Sequence, residues 1–255
     1  MTVEANNLFF GYRDDQTIVD GCSFALGRRK IYCILGPNGS GKTTLLRLLN
    51  GSLKPRLGKV LVEGKDIHNL NKKAIARLMA FLPQEHHGVF PYSVLDMVVM
   101  GRNAHLSLLG RPQKKDYLLA EEALEVIGIG HLKEKCYMEI SGGERQMVFL
   151  ARAIAQEASF FIMDEPTSHL DFNNQHKVMR VMRQIVQERG CSVITAMHDP
   201  NLALSFADEI LMFKKGRLMK MGPAAEVVTR ENLARLYEMD LQVAEFEGNR
   251  KFVFA

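Results

Sequence analysis

The segment Gly36-Pro37-Asn38-Gly39-Ser40-Gly41-Lys42-Thr43 constrains this chain more than any other stretch. It satisfies G-x-x-x-x-G-K-[ST] at every fixed position, a spacing that wraps backbone N–H groups around a phosphate chain. Ahead of it, Lys30-Ile31-Tyr32-Cys33-Ile34-Leu35 is a short apolar run that reads as a buried strand. Behind it, Leu45, Leu46, Leu48 and Leu49 recur at helical spacing until Gly51, a helix stop. Strand, glycine loop and helix together predict an anion cradle. The glycines let the backbone curl, and the helix N-terminus adds partial positive charge. In that setting Lys42 reaches the β- and γ-phosphates and the Thr43 hydroxyl ligates Mg²⁺, with Thr44 beside it on the first helical turn.

A second chemical signal lies at Phe160-Phe161-Ile162-Met163-Asp164-Glu165, four apolar residues ending in two carboxylates. A buried strand that delivers acids at its carboxyl end places them beside the phosphate loop of a neighbouring strand. Asp164 then suits the orientation of Mg²⁺ through its water shell, and Glu165 can polarise a water for in-line attack on a γ-phosphate. A third signal is Ser141-Gly142-Gly143-Glu144-Arg145, which opens a helix whose apolar face starts at Met147. Ser and two glycines at a helix start form a second anion-binding nest, though the same residues also serve as an ordinary N-cap.

Between these motifs, strands alternate with helices. Val60-Leu61-Val62 and Ser192-Val193-Ile194-Thr195-Ala196 read as strands. Asp116 suits an N-cap for the face Leu119, Ala120, Ala123, Leu124 and Ile127, and Val178, Val181, Met182 and Ile185 form another face closed by Gly190. The pattern implies an α/β protein with a mainly parallel sheet covered on both faces. The texture from Gln84 to Ala158 is helical and reads as an inserted subdomain. The tail, with Leu233, Leu236 and Tyr237 at helical spacing, reads as a modest extension.

Taken together, Gly36–Thr43, Ser141–Arg145 and Met163-Asp164-Glu165-Pro166-Thr167 resemble the nucleotide-binding subunits of ATP-binding cassette (ABC) transporters over nearly the whole chain. The resemblance implies a P-loop NTPase (RecA-like) fold with an N-terminal antiparallel β subdomain and an inserted α-helical subdomain. One nucleotide-binding domain would span 1–255, with the catalytic core and β subdomain in 1–83 and 159–222, the helical subdomain in 84–158 and a C-terminal extension in 223–255. Tyr12, 24 residues before Gly36, looks like the aromatic that stacks on adenine. Gln84 looks like the glutamine that contacts Mg²⁺ and the attacking water while hinging the helical block. Ser168-His169-Leu170-Asp171 looks like the loop that crosses to the other subunit, and Asp171 is also placed to cap a helix. His198 looks like the histidine that bonds the γ-phosphate and steadies Glu165. Family members often carry Leu and Gln where this chain has Ile140 and Glu144, so a negative charge sits near a phosphate site, with Arg145 beside it to offset it.

The resemblance further implies a head-to-tail homodimer that sandwiches two ATP molecules, each between Gly36–Thr43 of one copy and Ser141–Gly143 of the other. ATP and Mg²⁺ are then the cofactors, and hydrolysis by this ATPase lets the pair open. The phrases around Met100-Gly101-Arg102, Gly142–Gln146 and His169–Gln175 are similar to the importer branch for metal chelates (iron–siderophore, haem and cobalamin) and related oxyanions such as molybdate. Partners would be two integral-membrane permease subunits and, indirectly, a periplasmic substrate-binding protein. Pro91–Arg102 would line the permease docking groove, and the location would be the cytoplasmic face of the bacterial inner membrane. An exporter ATPase and a soluble ABC ATPase outside transport are the alternatives.

Composition trims these options. No apolar stretch approaches the roughly 18 residues of a membrane span, and residues 1–6 lack the pattern of a secretory signal. The balance of 33 Lys+Arg against 29 Asp+Glu, with no basic block, gives no argument for nucleic acid. The four scattered cysteines contain no C-x-x-C pair, which speaks against zinc and disulfides. The histidines, including His86-His87 and His105, lack metal-ligand spacing.

Overall fold

The computed structural model describes residues 2–84, 91–107, 110–168, 170–246 and 250–254. His86, His87 and His169 lie outside these residues. The chain forms two compact units, Met1–Leu70 with Ser192–Ala255, and Asn71–Cys191.

The first unit opens with β1 (Val3–Phe10) and β2 (Val19–Leu26), an antiparallel pair. On β1 the side chains of Val3, Ala5, Leu8 and Phe10 are buried while Asn7 between them is exposed, so one sheet face is apolar. The buried strand β3 (Ile31–Leu35) leads into α1 (Lys42–Leu49). Next, β4 (Leu57–Val62) pairs antiparallel with β1, and β5 (Lys65–Asp66) folds back on it. The β4–β5 turn places Glu63 and Gly64 at φ 55 and 75, the left-handed pair that a two-residue hairpin needs. The resulting sheet β2-β1-β4-β5 is the antiparallel N-terminal subdomain expected from the sequence.

The second unit contains α2 (Lys72–Leu78), β6 (Met79–Leu82), α3 (Val94–Val99), α4 (Lys114–Ile127), α5 (Gly142–Ala155), β7 (Phe160–Asp164) and α6 (Phe172–Arg189). The anticipated helical block, 84–158, supplies α3, α4 and α5. The compact unit is wider than that block because β6 and β7, which flank it in sequence, pair in parallel from Met79↔Phe160 to Leu82↔Met163.

One local expectation changes here. Asp116 is not the N-cap of α4: that place falls to Gln113, the helix begins at Lys114, and Asp116 completes the capping box by accepting from the Gln113 N–H at 2.9 Å. Its other oxygen meets Arg102 Nε at 3.2 Å, both side chains being almost fully buried. Arg102 also donates to the Ala155 carbonyl and Glu157, each at 2.7 Å, so it ties the start of α4 to the end of α5. Hydrogen bonding from Gln113, then Arg102, holds the Asp116 carboxyl below its ordinary value. In the expected docking segment Pro91–Arg102, Val94, Met97, Val98 and Val99 are buried, while Pro91 and Tyr92 are exposed. Its apolar residues repeat at helical spacing, and α3 spends them packing on α4 and α5.

The chain returns to the first unit with β8 (Ser192–Met197), α7 (Pro200–Phe206), β9 (Glu209–Lys214), β10 (Arg217–Pro223), α8 (Ala224–Val227), α9 (Arg230–Tyr237), β11 (Gln242–Phe246) and β12 (Arg250–Phe254). Both β8 and β9 flank β3 in parallel, and β10 closes the edge antiparallel to β9. The tail thus holds the expected helix and, beyond it, an unforeseen hairpin, β11–β12. Among the described residues no helix is long and apolar enough to cross a membrane.

Candidate active site

In the first unit the phosphate loop leaves β3 between two parallel neighbours. A Cβ on Gly36 would lie 2.1 Å from the Phe213 carbonyl oxygen, so β9 excludes any side chain there. Gly41 sits at φ 101, and its Cβ would meet the Ile18 carbonyl at 2.8 Å, so conformation and space both demand glycine. Lys42 is buried and folds over the loop, donating to Gly36 O at 2.9 Å and Pro37 O at 3.1 Å. The buried Ser40 hydroxyl has no hydrogen-bond partner among the described residues. A buried hydroxyl left in this way costs free energy unless a ligand engages it, and a phosphate oxygen suits a donor of this kind.

Tyr12 stands beside the loop. Its hydroxyl lies 3.4 Å from Thr44 Oγ1, and its ring packs edge-on against Phe10 at 5.1 Å while remaining 53% exposed. That leaves a ring face open for stacking on a base. Arg56 holds the turn around it, donating to the carbonyls of Gly11 at 3.0 Å, Asp14 at 3.2 Å and Arg13. His198 follows β8, and the pairing Leu35↔Met197 places it next to Gly36 at the same sheet edge. The His198 carbonyl accepts from Tyr237 Oη at 2.8 Å. Cys33, inside β3, is a core thiol pushed far up by burial.

The second unit carries the acids. β7 is buried throughout and ends at Asp164, itself 2% exposed. Glu165 is half-buried and held at φ 48, a left-handed conformation that costs a non-glycine residue of order 1–3 kcal/mol. The parallel register Leu82↔Met163 sets Pro83-Gln84 beside Asp164-Glu165, and Gln84 Nε2 donates to Glu165 Oε2 at 3.3 Å. The loop beyond is cross-braced: Gln146 donates to Pro166 O at 3.0 Å, and Gln175 to Thr167 O at 3.2 Å and Leu170 O at 3.0 Å. Asp171 caps α6, accepting from Asn174 N at 2.8 Å.

Ser141 caps α5 and forms a reciprocal box with Glu144. Glu144 Oε2 accepts from Ser141 N at 2.8 Å and Ser141 Oγ at 2.7 Å, and Ser141 Oγ accepts from Glu144 N at 3.3 Å. These bonds from Ser141 depress the Glu144 carboxyl. Arg145 turns away from Glu144, donating to Met138 O at 2.7 Å with its guanidinium 5.5 Å from the Tyr137 ring. The glycines behave differently from those of the phosphate loop. Among the described residues, a Cβ on Gly142 would meet nothing within 4 Å, and one on Gly143 would only touch Leu170 at 3.7 Å.

The expected Mg²⁺ residues are divided, Thr43 in the first unit and Gln84 and Asp164 in the second. No group of three or more His, Cys, Asp or Glu among the described residues forms a metal cage. A hydroxyl, a carboxylate and an amide are hard oxygen donors of the kind Mg²⁺ takes when nucleotide oxygens and water complete its shell.

The ABC transporter family profile matches residues 19–168, which include the phosphate loop, the Ser141 helix and the Asp164-Glu165 strand end. The chain belongs to the ABC transporter family. It is similar to a Helicobacter pylori protein assigned to iron chelatin transport as its ATP-binding protein, at 38% identity over 100% of both chains. It is also similar to the iron(3+)-hydroxamate import ATP-binding protein of Bacillus subtilis, at 33% identity over 95% of this chain and 90% of that one. A solved transporter described as metal-chelate type, in an inward-facing conformation, matches with a TM-score of 0.84 and 33% identity over 99% of this chain and 95% of that one. This chain is the ATP-binding, ATPase-type subunit of the family.

Within that family frame, three residues carry structure that sequence reading missed. Arg56 had no signal, since its partners lie more than 40 residues away. Tyr237 counted only as part of an apolar stripe. Glu144 did have a readable signal, because S-x-x-E is the capping-box pattern.

Proposed function

We propose that this chain is the ATP-hydrolysing subunit of a bacterial importer for a metal chelate or metal oxyanion. Two copies act with two separate permease subunits at the cytoplasmic face of the inner membrane, supplied by a periplasmic substrate-binding protein. The names of the relatives support the substrate class. The observation that carries the two-copy reading is the contrast between the glycines. Gly36 and Gly41 are demanded by the chain's own backbone, whereas Gly142 is not. Two glycines at a helix start weaken that helix, so their use fits a close approach by something outside the chain, the terminal phosphate of ATP held by the other copy.

In this reading Lys42 exchanges the carbonyls of Gly36 and Pro37 for phosphate oxygens, and the Ser40 hydroxyl gains its partner there. Tyr12 stacks on adenine. Thr43, Gln84 and Asp164 would hold Mg²⁺, which neutralises charge on the phosphates. Glu165 takes the proton of the attacking water, a contribution of about 10²–10⁴ in rate. Gln84, bonded to that carboxylate, sets its direction. His198 donates to the γ-phosphate, and Asp171 faces the second copy. Ser141→Arg tests the arrangement. ATP binding to the single chain should persist within about threefold, since Ser141 serves the other copy's nucleotide, while hydrolysis should fall by at least about 10²-fold. Equal loss of binding and hydrolysis would reject the two-copy site.

A further inference from the structure

We propose that Tyr237 is a positioning residue for His198, so that the C-terminal segment sets the pose of the imidazole assigned to the γ-phosphate. The proposal rests on the role given to His198 above. Tyr237 closes α9, a helix capped by Thr229 and seated by buried Leu233 and Leu236. Its far end is fixed to β9, where Lys214 pairs with Glu238 at 2.8 Å and also donates to the Arg235 carbonyl. This anchoring brings the phenol hydroxyl to the His198 carbonyl at 2.8 Å. Burial pushes the phenol well above its ordinary value, so the hydroxyl keeps its proton and remains a donor at any physiological pH.

A second clamp from the same tail grips the other side of the loop. Asn201 Nδ2 donates to Val253 O at 2.9 Å, and Val253 N donates back to Asn201 Oδ1 at 2.7 Å. Between these grips, Asp199 caps α7 through Asn201 N at 2.8 Å. The His198 backbone is therefore fixed by β8 before it, by its own carbonyl bond and by β12 after it. Its imidazole is left with only side-chain torsions to choose. A group that must meet a phosphate oxygen within a few tenths of an ångström gains from that restriction.

The test is Tyr237→Phe in the full chain assembled with its permease, which keeps the ring and removes only the hydroxyl. The expected result is a roughly three- to tenfold lower kcat with KM for ATP changed less than twofold. Tyr237→Phe should add no further loss in a His198→Gln background, and should shift the His198 ring signals in ¹³C-histidine NMR, assigned with His198→Gln. Where His198→Gln leaves too little turnover to divide, the NMR shift decides. An unchanged kcat and unchanged ring signals would overturn the clamp, as would a full additional loss in the His198→Gln background. Normal turnover by His198→Gln would instead sink the role of His198 itself, and the clamp with it.

Discussion

Gly142→Ala separates what this chain needs for folding from what it needs for turnover. Among the described residues the added Cβ meets no atom within 4 Å, and Gly142 begins α5 in ordinary helical backbone. Alanine restricts the unfolded chain and favours the helix, so stability should rise by about 0.4–1 kcal/mol. That corresponds to a few degrees in Tm. Turnover should move the opposite way. If the terminal phosphate of the second copy's ATP approaches the N–H groups of this helix start, a methyl group there displaces it by about 1 Å, and such a displacement costs about 10²-fold. The assay pairs thermal denaturation without nucleotide with steady-state phosphate release, and includes fluorescent-ATP binding to the single chain, which should be unchanged. A protein that melts lower would refute the open space, and one that melts higher yet hydrolyses ATP normally would refute the approach.

Arg102→Ala should destabilise the second unit by about 3–5 kcal/mol, because it strands the buried Asp116 carboxylate; denaturant unfolding would show this, and a loss under about 1 kcal/mol would contradict it. Tyr12→Ala should weaken ATP binding by about 1–3 kcal/mol with little change in melting, as equilibrium titration would show; unaltered affinity would make Tyr12 purely structural.

The parts of this protein legible in its sequence are those whose cause is local. Gly36–Thr43 announced itself because strand, loop and helix are contiguous, and β3, β7 and β8 because unbroken apolar runs have few other fates. Gln84 and Glu165 were each named separately, and the parallel β6–β7 register joins them. What was not legible depends on distant partners. Asp116 reads as the N-cap rather than as the third residue of a capping box, and its bond to Arg102 cannot be read from helix periodicity. Tyr237 lies 39 residues from His198, and no local pattern links a phenol to a carbonyl so far upstream.

The central property of this protein is that ATP joins two copies of the chain. Sedimentation of Glu165→Gln with ATP and Mg²⁺ measures this directly, because the variant should bind nucleotide without consuming it. The expected species is a dimer carrying two ATP molecules, reverting to monomer when ADP replaces ATP. A Glu165→Gln protein that binds ATP yet sediments as a monomer at high concentration, and shows no nucleotide-dependent pairing on its permease, would contradict it.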